Sequence, residues 1–395
     1  MNNDSSISQG CILLGVNLSK SGRESDESSL DELALLAETA GYIPLLKILH
    51  KRDRIDAAYY IGRGKGQDLG RIAGELNAGT VIFDFDLTPV QIRNLERLIK
   101  RRVIVRTELI LDIFGNRAHT KEAKLQVELA TLLYSLPRLR HMWTHLNRVS
   151  GHLGTKGPGE KQLENDRRRI QKRISKIKKD LVSVQTHRKV MRKNRQAKNK
   201  VALVGYTNAG KSSLLNTLSH SSLFTENRLF ATLDPATREV WLGDGVTALV
   251  TDTVGFLKRL PHSLIASFRA TLEEVHEADL LLHVVDIGSP DVRERIEAVK
   301  YVLGEISAHR LPVIYVFNKV DVLERRDLKA SLLSAYRENV VVSAKTGEGI
   351  AELRSSLYDF FIEYGRVREA LLRQRSGYLI PSARSSHTEP LTNKR

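Results

Sequence analysis

GYTNAGKS, running from Gly205 to Ser212, holds two glycines five positions apart, then lysine and a hydroxyl residue. That is the P-loop pattern. The residues before it, KVALVG, read as a buried strand, and SSLLNTL after it reads as a helix. Strand, loop and helix in that order are the context a P-loop needs. Gly205 and Gly210 let the backbone curl so that successive N–H groups face one anion. The start of the helix adds its dipole. Tyr206, Thr207, Asn208 and Ala209 form the loop wall. Lys211 is placed to reach the β- and γ-phosphates, and Ser212 to ligate Mg²⁺ through its hydroxyl.

Three further motifs follow in chain order. DTVG, from Asp252 to Gly255, ends an apolar run. Asp252 there can hold a water on Mg²⁺, and the Gly255 N–H can bind a γ-phosphate and lose it on hydrolysis, with Thr253 and Val254 between them. The segment after Gly255 is then a switch, ordered by the triphosphate. Between the two motifs lies LFATLDPATR. It must supply a threonine for Mg²⁺, and Thr232 is the first choice with Thr237 the second. Phe230, Ala231, Leu233 and Asp234 complete the segment expected to face the nucleotide. The residues expected to carry catalysis are Lys211, Thr232 and Gly255.

NKVD, from Asn318 through Lys319 and Val320 to Asp321, selects the base. The Asp321 carboxylate can accept two bonds from the guanine ring N–H and exocyclic amine. Adenine would leave it desolvated and unpaired, at a cost of about 1–3 kcal/mol. Asn318 is expected to bridge base and P-loop, with the Lys319 stem along the base. SAK, Ser343 to Lys345, follows a strand-like VVV, so that the Ala344 N–H can donate to guanine O6. GTP is therefore the expected substrate. One residue is out of pattern for fast turnover. A glutamine near the end of DxxG orients the attacking water in small GTPases. Here Phe256 follows Gly255, and slow intrinsic hydrolysis that needs a partner is expected.

The chain of 395 residues is long enough for two or three cores. Three parts and a tail are expected. Residues 1–120 alternate apolar runs (ILLGVNL, VIFDF, VIV) with helical patterns, as a small parallel α/β domain does. Thr88, Pro89 and Gln91 read as a capping box with a first-turn proline, and Ser29 with Glu32 reads as another helix start. GRGKG, Gly62 to Gly66, reads either as a phosphate cradle or as a flexible turn. Residues 121–197 carry a heptad seam: Leu125, Leu129, Leu132, Leu136 and Leu139, then Leu163, Ile170, Ile174, Ile177, Leu181, Val184 and Met191. Between the two runs lies a glycine-rich stretch within 148–162. An antiparallel helical hairpin follows from this, with Pro137 expected to kink or end the first helix. Residues 198–365 return to strand and helix, the pattern of a P-loop GTPase domain. Residues 366–395 read as a basic tail, a short helix and then a disordered end. Cys11, the one cysteine, lies in an apolar run and reads as a buried strand residue. A lone cysteine excludes a disulfide framework and favours a cytosolic setting. No apolar run is long enough for a membrane span.

The net charge of +16 is unevenly placed. Residues 161–200 hold 16 Lys/Arg against three acids, and the tail 366–395 has a net charge of +5, so the remaining 325 residues sum to −2. A near-neutral body with one strongly basic element points to a polyanion, with nucleic acid first and a solvated helix face as the alternative. The candidates on the second hairpin helix are Arg167, Arg168, Arg169 and Lys172.

Taken together, VIFDFDLTPVQIRNLE, RTELILDIF with RAHTKEAKLQVELA, GPGEKQLENDRRRI and LFATLDPATR make the chain resemble the HflX family of translational GTPases over about residues 10–365. The resemblance implies a cytoplasmic protein, with peripheral membrane association left open. It implies a monomer that binds GTP with Mg²⁺ and associates with the large ribosomal subunit and its rRNA. Splitting or recycling of stalled or idle ribosomes is the implied activity. The hairpin tip would reach towards the peptidyl transferase region, which adds Lys156 to the expected RNA contacts. The tip departs from the family's GGxGTRGPGETQLE at His152, Lys156 and Lys161. Two other readings stay open. One is an ATP-driven RNA or ribosome remodeller with a second nucleotide site in the N-terminal domain. The other is an assembly factor whose GTP state licenses docking.

Overall fold

The structure is a computed structural model. It describes residues 9–18, 23–143, 158–192, 198–219, 229–230, 233–258, 264, 273–323 and 332–376. The first region runs β1 (Gly10–Leu18), α1 (Arg23–Thr39), β2 (Ile43–Arg52), α2 (Arg63–Glu75), β3 (Thr80–Phe83), α3 (Pro89–Ile99), β4 (Arg102–Val105) and α4 (Arg106–Arg117). Its four strands lie in the order β2-β1-β3-β4, and every pair is parallel. A parallel sheet covered on both faces buries both sides of its strands. Ile12, Leu13, Leu14, Val81, Ile82 and Phe83 are accordingly buried without alternation. Cys11 is buried among them, and burial pushes its thiol up to about 12, so it is an inert packing residue.

The Thr88 capping box forms as expected. Thr88 N donates to Gln91 Oε1 at 2.9 Å, Gln91 N donates to Thr88 Oγ1 at 3.3 Å, and Pro89 opens α3. The Ser29–Glu32 reading is corrected. Helix α1 starts earlier, at Arg23, and both residues lie inside it and are buried. Their polar atoms turn inward to partners on other elements, where a helix cap would have used them on its own backbone. GRGKG is the start of α2. Gly62 takes a left-handed φ of 83°, and the helix runs from Arg63.

The middle region is a pair of helices, α5 (Lys121–Trp143) and α6 (Pro158–Arg192), packed against each other. Leu129, Ile174, Ile177 and Leu181 are buried in their seam, with Leu125, Leu132, Leu136 and Ile170 packed beside them. Proline removes one backbone donor from a helix interior, yet α5 continues through Pro137 to Trp143. Of the glycine-rich stretch expected at 148–162, residues 148–157 lie outside the described residues, while Pro158 to Gln162 already belong to α6.

The last region contains β5 (Asn199–Gly205), α7 (Lys211–Ser219), β6 (Ala236–Gly243), β7 (Val246–Asp252), α8 (Glu273–His276), β8 (Leu280–Asp286), α9 (Val292–Glu305), β9 (Val313–Asn318), β10 (Asn339–Val341) and α10 (Ile350–Ser376). Its strands lie in the order β10-β9-β8-β5-β7-β6, parallel except for β6 against β7. Open α/β sheets bind ligands outside the carboxyl ends of their strands. Gly205, Asp252, Asp286 and Asn318 each end a strand on that side. Helix α10 carries the chain past residue 365 to Ser376 as one continuous helix.

The first and last regions share one hydrophobic core. A single cluster contains Leu33, Ile110, Phe114 and Val127 together with Val204, Phe230, Phe256 and Leu281. The rings of Phe114 and Phe230 meet edge to face at 4.5 Å between centroids, a geometry worth about 0.5–1.5 kcal/mol beyond burial.

Candidate functional site

The P-loop leaves β5 at Gly205, where a side chain would collide with the Val284 carbonyl oxygen on the neighbouring strand. At Gly210 φ is 92°, and a Cβ would strike the Asn318 amide. The segment after DTVG is stitched to the loop. Phe256 N donates to Gly205 O at 3.1 Å, and Thr207 N donates to Phe256 O at 2.8 Å. Gly255 passes so close that a Cβ would lie 2.8 Å from Thr207 Cα and 3.0 Å from Lys211 Nζ. Only glycine lets the chain pass so close to Thr207 and Lys211.

Lys211 is buried, and its Nζ donates to Tyr206 O at 2.9 Å and Gly205 O at 3.2 Å. Burial lowers the ammonium to about 8, with the Asp252 carboxylate opposing. The two magnesium candidates meet: Ser212 Oγ donates to Asp252 Oδ2 at 2.6 Å. Thr253 is tied down through Oγ1 to Leu203 O at 2.6 Å. The Thr207 hydroxyl is buried with no hydrogen-bond partner among the described residues. An orphaned donor beside a curl of backbone N–H groups suits an anionic ligand.

The base side is equally ordered. Asn318 Nδ2 donates to Ala209 O at 2.9 Å, and Asn318 Oδ1 accepts from Ala344 N at 2.9 Å. The asparagine thus bridges the P-loop and the SAK turn, and it takes the Ala344 N–H expected to face O6. Asp321 Oδ1 accepts from Ser343 Oγ at 2.6 Å, which aims the carboxylate. Lys319 has a left-handed φ of 66°, and its ammonium is held by Asp286 at 2.7 Å. Asn208, Gly210, Ser213, Asn216, Thr217, Asn318, Lys319, Asp321, Val322, Ala344 and Lys345 line a pocket of about 570 Å³.

The segment around LFATLDPATR is placed differently from the sequence reading. Ala231 and Thr232 lie outside the described residues. Phe230 and Leu233 are buried in the shared core. Asp234 turns towards the start of α5, where its carboxylate accepts from Thr120 Oγ1 at 2.5 Å. Thr237 sits in β6 with its hydroxyl 3.0 Å from Thr251 Oγ1. Lys156 lies outside the described residues, while Arg168, Arg169 and Lys172 are exposed on α6 and Arg167 is half-buried.

Motif reading missed a buried charge cluster between the first and last regions. Arg106 bonds both Glu32 and Asp84, the latter at 2.6 Å. Ser29 Oγ donates to Asp84 Oδ2 at 2.5 Å. Tyr206 of the P-loop donates its phenol to Glu32 and accepts from Lys258 N at 2.8 Å. Burial pushes that phenol up to about 12, so it stays protonated. Lys258 Nζ reaches Asp291 and Glu294, each at 2.6 Å, and Arg295 Nε bonds Asp291 at 2.7 Å. The available signal was Arg106 itself, an arginine directly after an apolar strand, where only a buried partner keeps it.

The chain matches known protein families along most of its length. Residues 27–115 match the family described as GTP-binding GTPase N-terminal, residues 117–195 its middle region, and residues 200–319 the family described as 50S ribosome-binding GTPase. The GTPase HflX of Caldanaerobacter subterraneus subsp. tengcongensis is 43% identical over 368 residues, covering 90% of this chain and 84% of that protein. The chain belongs to the HflX family of GTPases. The HflX of Escherichia coli K12 is 44% identical over 338 residues, 85% of this chain and 79% of that one. Among solved structures, SsGBP with GDP is 25% identical at a TM-score of 0.49, covering 90% of this chain and 99% of that chain. The sequence reading of the family and of a GTP-hydrolysing enzyme therefore holds. Among the described residues no helix is long and apolar enough to cross a membrane.

Proposed function

We propose that this HflX GTPase is magnesium-dependent, docks on the large ribosomal subunit, and uses the GTP cycle to split or recycle stalled or idle ribosomes. The observation that carries the docking part is one face of α6. Arg168, Lys172, Lys176 and Lys179 line a shallow open surface with Gln171 and Ser175 between them, and no acid lines it. Arg168 also bonds Glu164 at 2.7 Å on the surface, a link that costs little to exchange for a phosphate. Arg173 is different. It holds Glu128 of α5 through two bonds of 2.6 Å and serves the hairpin. Four cations at one-turn spacing with neutral donors between them suit a phosphate backbone.

Ser212 and Asp252 offer a hydroxyl and a carboxylate, the hard oxygens Mg²⁺ prefers, and with Thr232 they are the residues that would hold it. The ion, when bound, neutralises charge on the β- and γ-phosphates. Lys211 binds the same oxygens, and the Gly255 N–H reads the γ-phosphate. Asp321 and Asn318 hold guanine. Phe256 is buried in the core and cannot orient a water, so intrinsic turnover is slow and the docked subunit completes the site.

Subunit-stimulated hydrolysis and co-sedimentation with a non-hydrolysable GTP analogue test this. The expected result is stimulation of at least about tenfold, abolished in Lys211→Ala. Binding in the triple variant Lys172→Ala, Lys176→Ala, Lys179→Ala should weaken and show a flatter salt dependence, by about 0.7–0.9 in log–log slope for each phosphate no longer neutralised. No stimulation, or an unchanged salt slope, sinks the docking reading.

A further inference from the structure

We infer that Tyr206 is a positioning residue for the nucleotide: its phenol, held by Glu32 of the first region, fixes the P-loop in its anion-binding curl. The residue belongs to the loop itself. Its carbonyl accepts from Lys211 Nζ at 2.9 Å, beside the Gly205 carbonyl at 3.2 Å. Its neighbours on both sides are tied to the segment after DTVG. Phe256 N donates to Gly205 O at 3.1 Å, and Thr207 N donates to Phe256 O at 2.8 Å. The Tyr206 side chain leaves the cradle and enters the core shared with the first region, where it is 5% exposed. There the phenol donates to Glu32 and accepts from Lys258 N at 2.8 Å. The Arg295 guanidinium lies over the ring, 4.9 Å from its centroid. Glu32 is held in turn by Arg106, which also bonds Asp84 at 2.6 Å. One side chain therefore joins the phosphate loop to a buried charge cluster on α1, the end of β3 and the start of α4.

A phosphate cradle does not need a phenol. Burying a hydroxyl is favourable only where it is hydrogen-bonded. Here the hydroxyl is used twice, as donor and as acceptor, and both partners lie outside the loop. The backbone just beyond it is left-handed, with φ of 60° at Asn208 and 92° at Gly210. Such conformations persist only where the surroundings over-determine them. An anchor on the second residue of the loop limits its relaxation before a ligand arrives. Preorganisation of that kind tightens binding by reducing the ordering still required. A P-loop cradles phosphates that GTP and GDP have in common, so the gain falls on both nucleotides. The first region thereby contributes to nucleotide affinity through one side chain. The inference rests on the reading of GYTNAGKS as the phosphate site.

The test is affinity for GDP and for a non-hydrolysable GTP analogue in the full-length protein without ribosomes. Tyr206→Phe keeps the ring and removes the hydroxyl. Both nucleotides should bind about three- to tenfold more weakly, the reach of one hydrogen bond, with their ratio changed by less than about twofold. Ser29→Ala separates anchoring from general stability. Ser29 Oγ donates to Asp84 Oδ2 at 2.5 Å in the same cluster, one partner further from the loop. Its loss should lower the unfolding temperature yet leave both affinities within about twofold of wild type. Glu32→Gln leaves the phenol an acceptor without charge, a weaker bond. It should cost less affinity than Tyr206→Phe, and nothing further once the phenol is gone. Unchanged or tighter binding in Tyr206→Phe would overturn the anchor. So would an equal loss in Ser29→Ala, a loss confined to one nucleotide, or a Glu32→Gln effect that persists in the Tyr206→Phe background. Lys211→Ala tests the reading underneath. If it leaves both affinities at the wild-type value, this loop is not the phosphate site and the inference falls with it. If it weakens both while Tyr206→Phe does not, the anchor alone fails.

Discussion

The two walls of the nucleotide site are built on different plans. On the base wall every described partner lies in the last region: Asn318 with Ala209 and Ala344, Asp321 with Ser343, Lys319 with Asp286. On the phosphate wall, beside partners within the last region such as Ser212 with Asp252, three contacts cross to the rest of the chain: Tyr206 with Glu32, Phe230 with Phe114, Asp234 with Thr120. In the proposed reading, recognition of guanine needs a fixed geometry and stays within the last region, while sensing of the γ-phosphate needs an output, and the residues proposed for it neighbour contacts to the other regions.

The largest expected effect strikes the shared wall. Arg106→Ala leaves the Glu32 and Asp84 carboxylates buried without their cation, and breaking such a group costs about 3–5 kcal/mol. Thermal or urea unfolding should show that loss. A variant as stable as wild type would mean that the charge cluster behind the phosphate wall carries no such energy. The matching change on the base wall is Asp321→Asn. It should reduce GTP affinity roughly ten- to several hundred-fold and shift preference towards xanthosine nucleotides, whose carbonyl can accept from the amide. Stability should move by less than about 1 kcal/mol. A large loss of stability there would erase the contrast between the walls.

The smallest effect sharpens the contrast through pH. Burial would raise the Asp291 carboxyl, but bonds from Lys258 and Ser289 and the charge of Arg295 outweigh it and lower it from 3.8 to about 2. A carboxylate lowered on folding contributes stability above its unfolded value and loses it as pH falls through the folded one. The contribution is about 2 kcal/mol near neutrality, and it disappears between about pH 4 and 2. Asp291→Asn should therefore cost about that much at pH 7 and converge with wild type towards pH 2. Parallel curves for the two proteins would show that the Lys258 ion pair carries no such energy.

Much of this was legible in the sequence, for a physical reason. P-loop, DTVG, NKVD and SAK are local solutions, in which the residue types and spacing alone set the backbone curl and the donors. The seam of α5 and α6 was legible because its period is local too. The Ser29–Glu32 pair shows where that reasoning ends. Serine three residues before glutamate is a good cap, but Glu32 serves a buried arginine more than seventy positions away and Ser29 serves that arginine's partner Asp84. Nothing in their spacing distinguishes the two uses. Asp234 failed for a related reason. It lies in a segment expected from the sequence to face the nucleotide, yet its carboxylate reaches a helix start more than a hundred residues earlier in the chain. Long-range partners of polar residues leave no periodic trace.

The continuous core has a consequence for how this protein can be altered. Phe114 and Phe230 come from different regions but fill one volume, as do Leu33 and Phe256 within the same cluster. A change of size on one side is absorbed only by a matching change on the other. The regions are therefore not interchangeable modules. A chimaera that joins the first half of one relative to the GTPase half of another inherits two surfaces that were shaped against different partners, and its defect would lie at the seam, far from any motif.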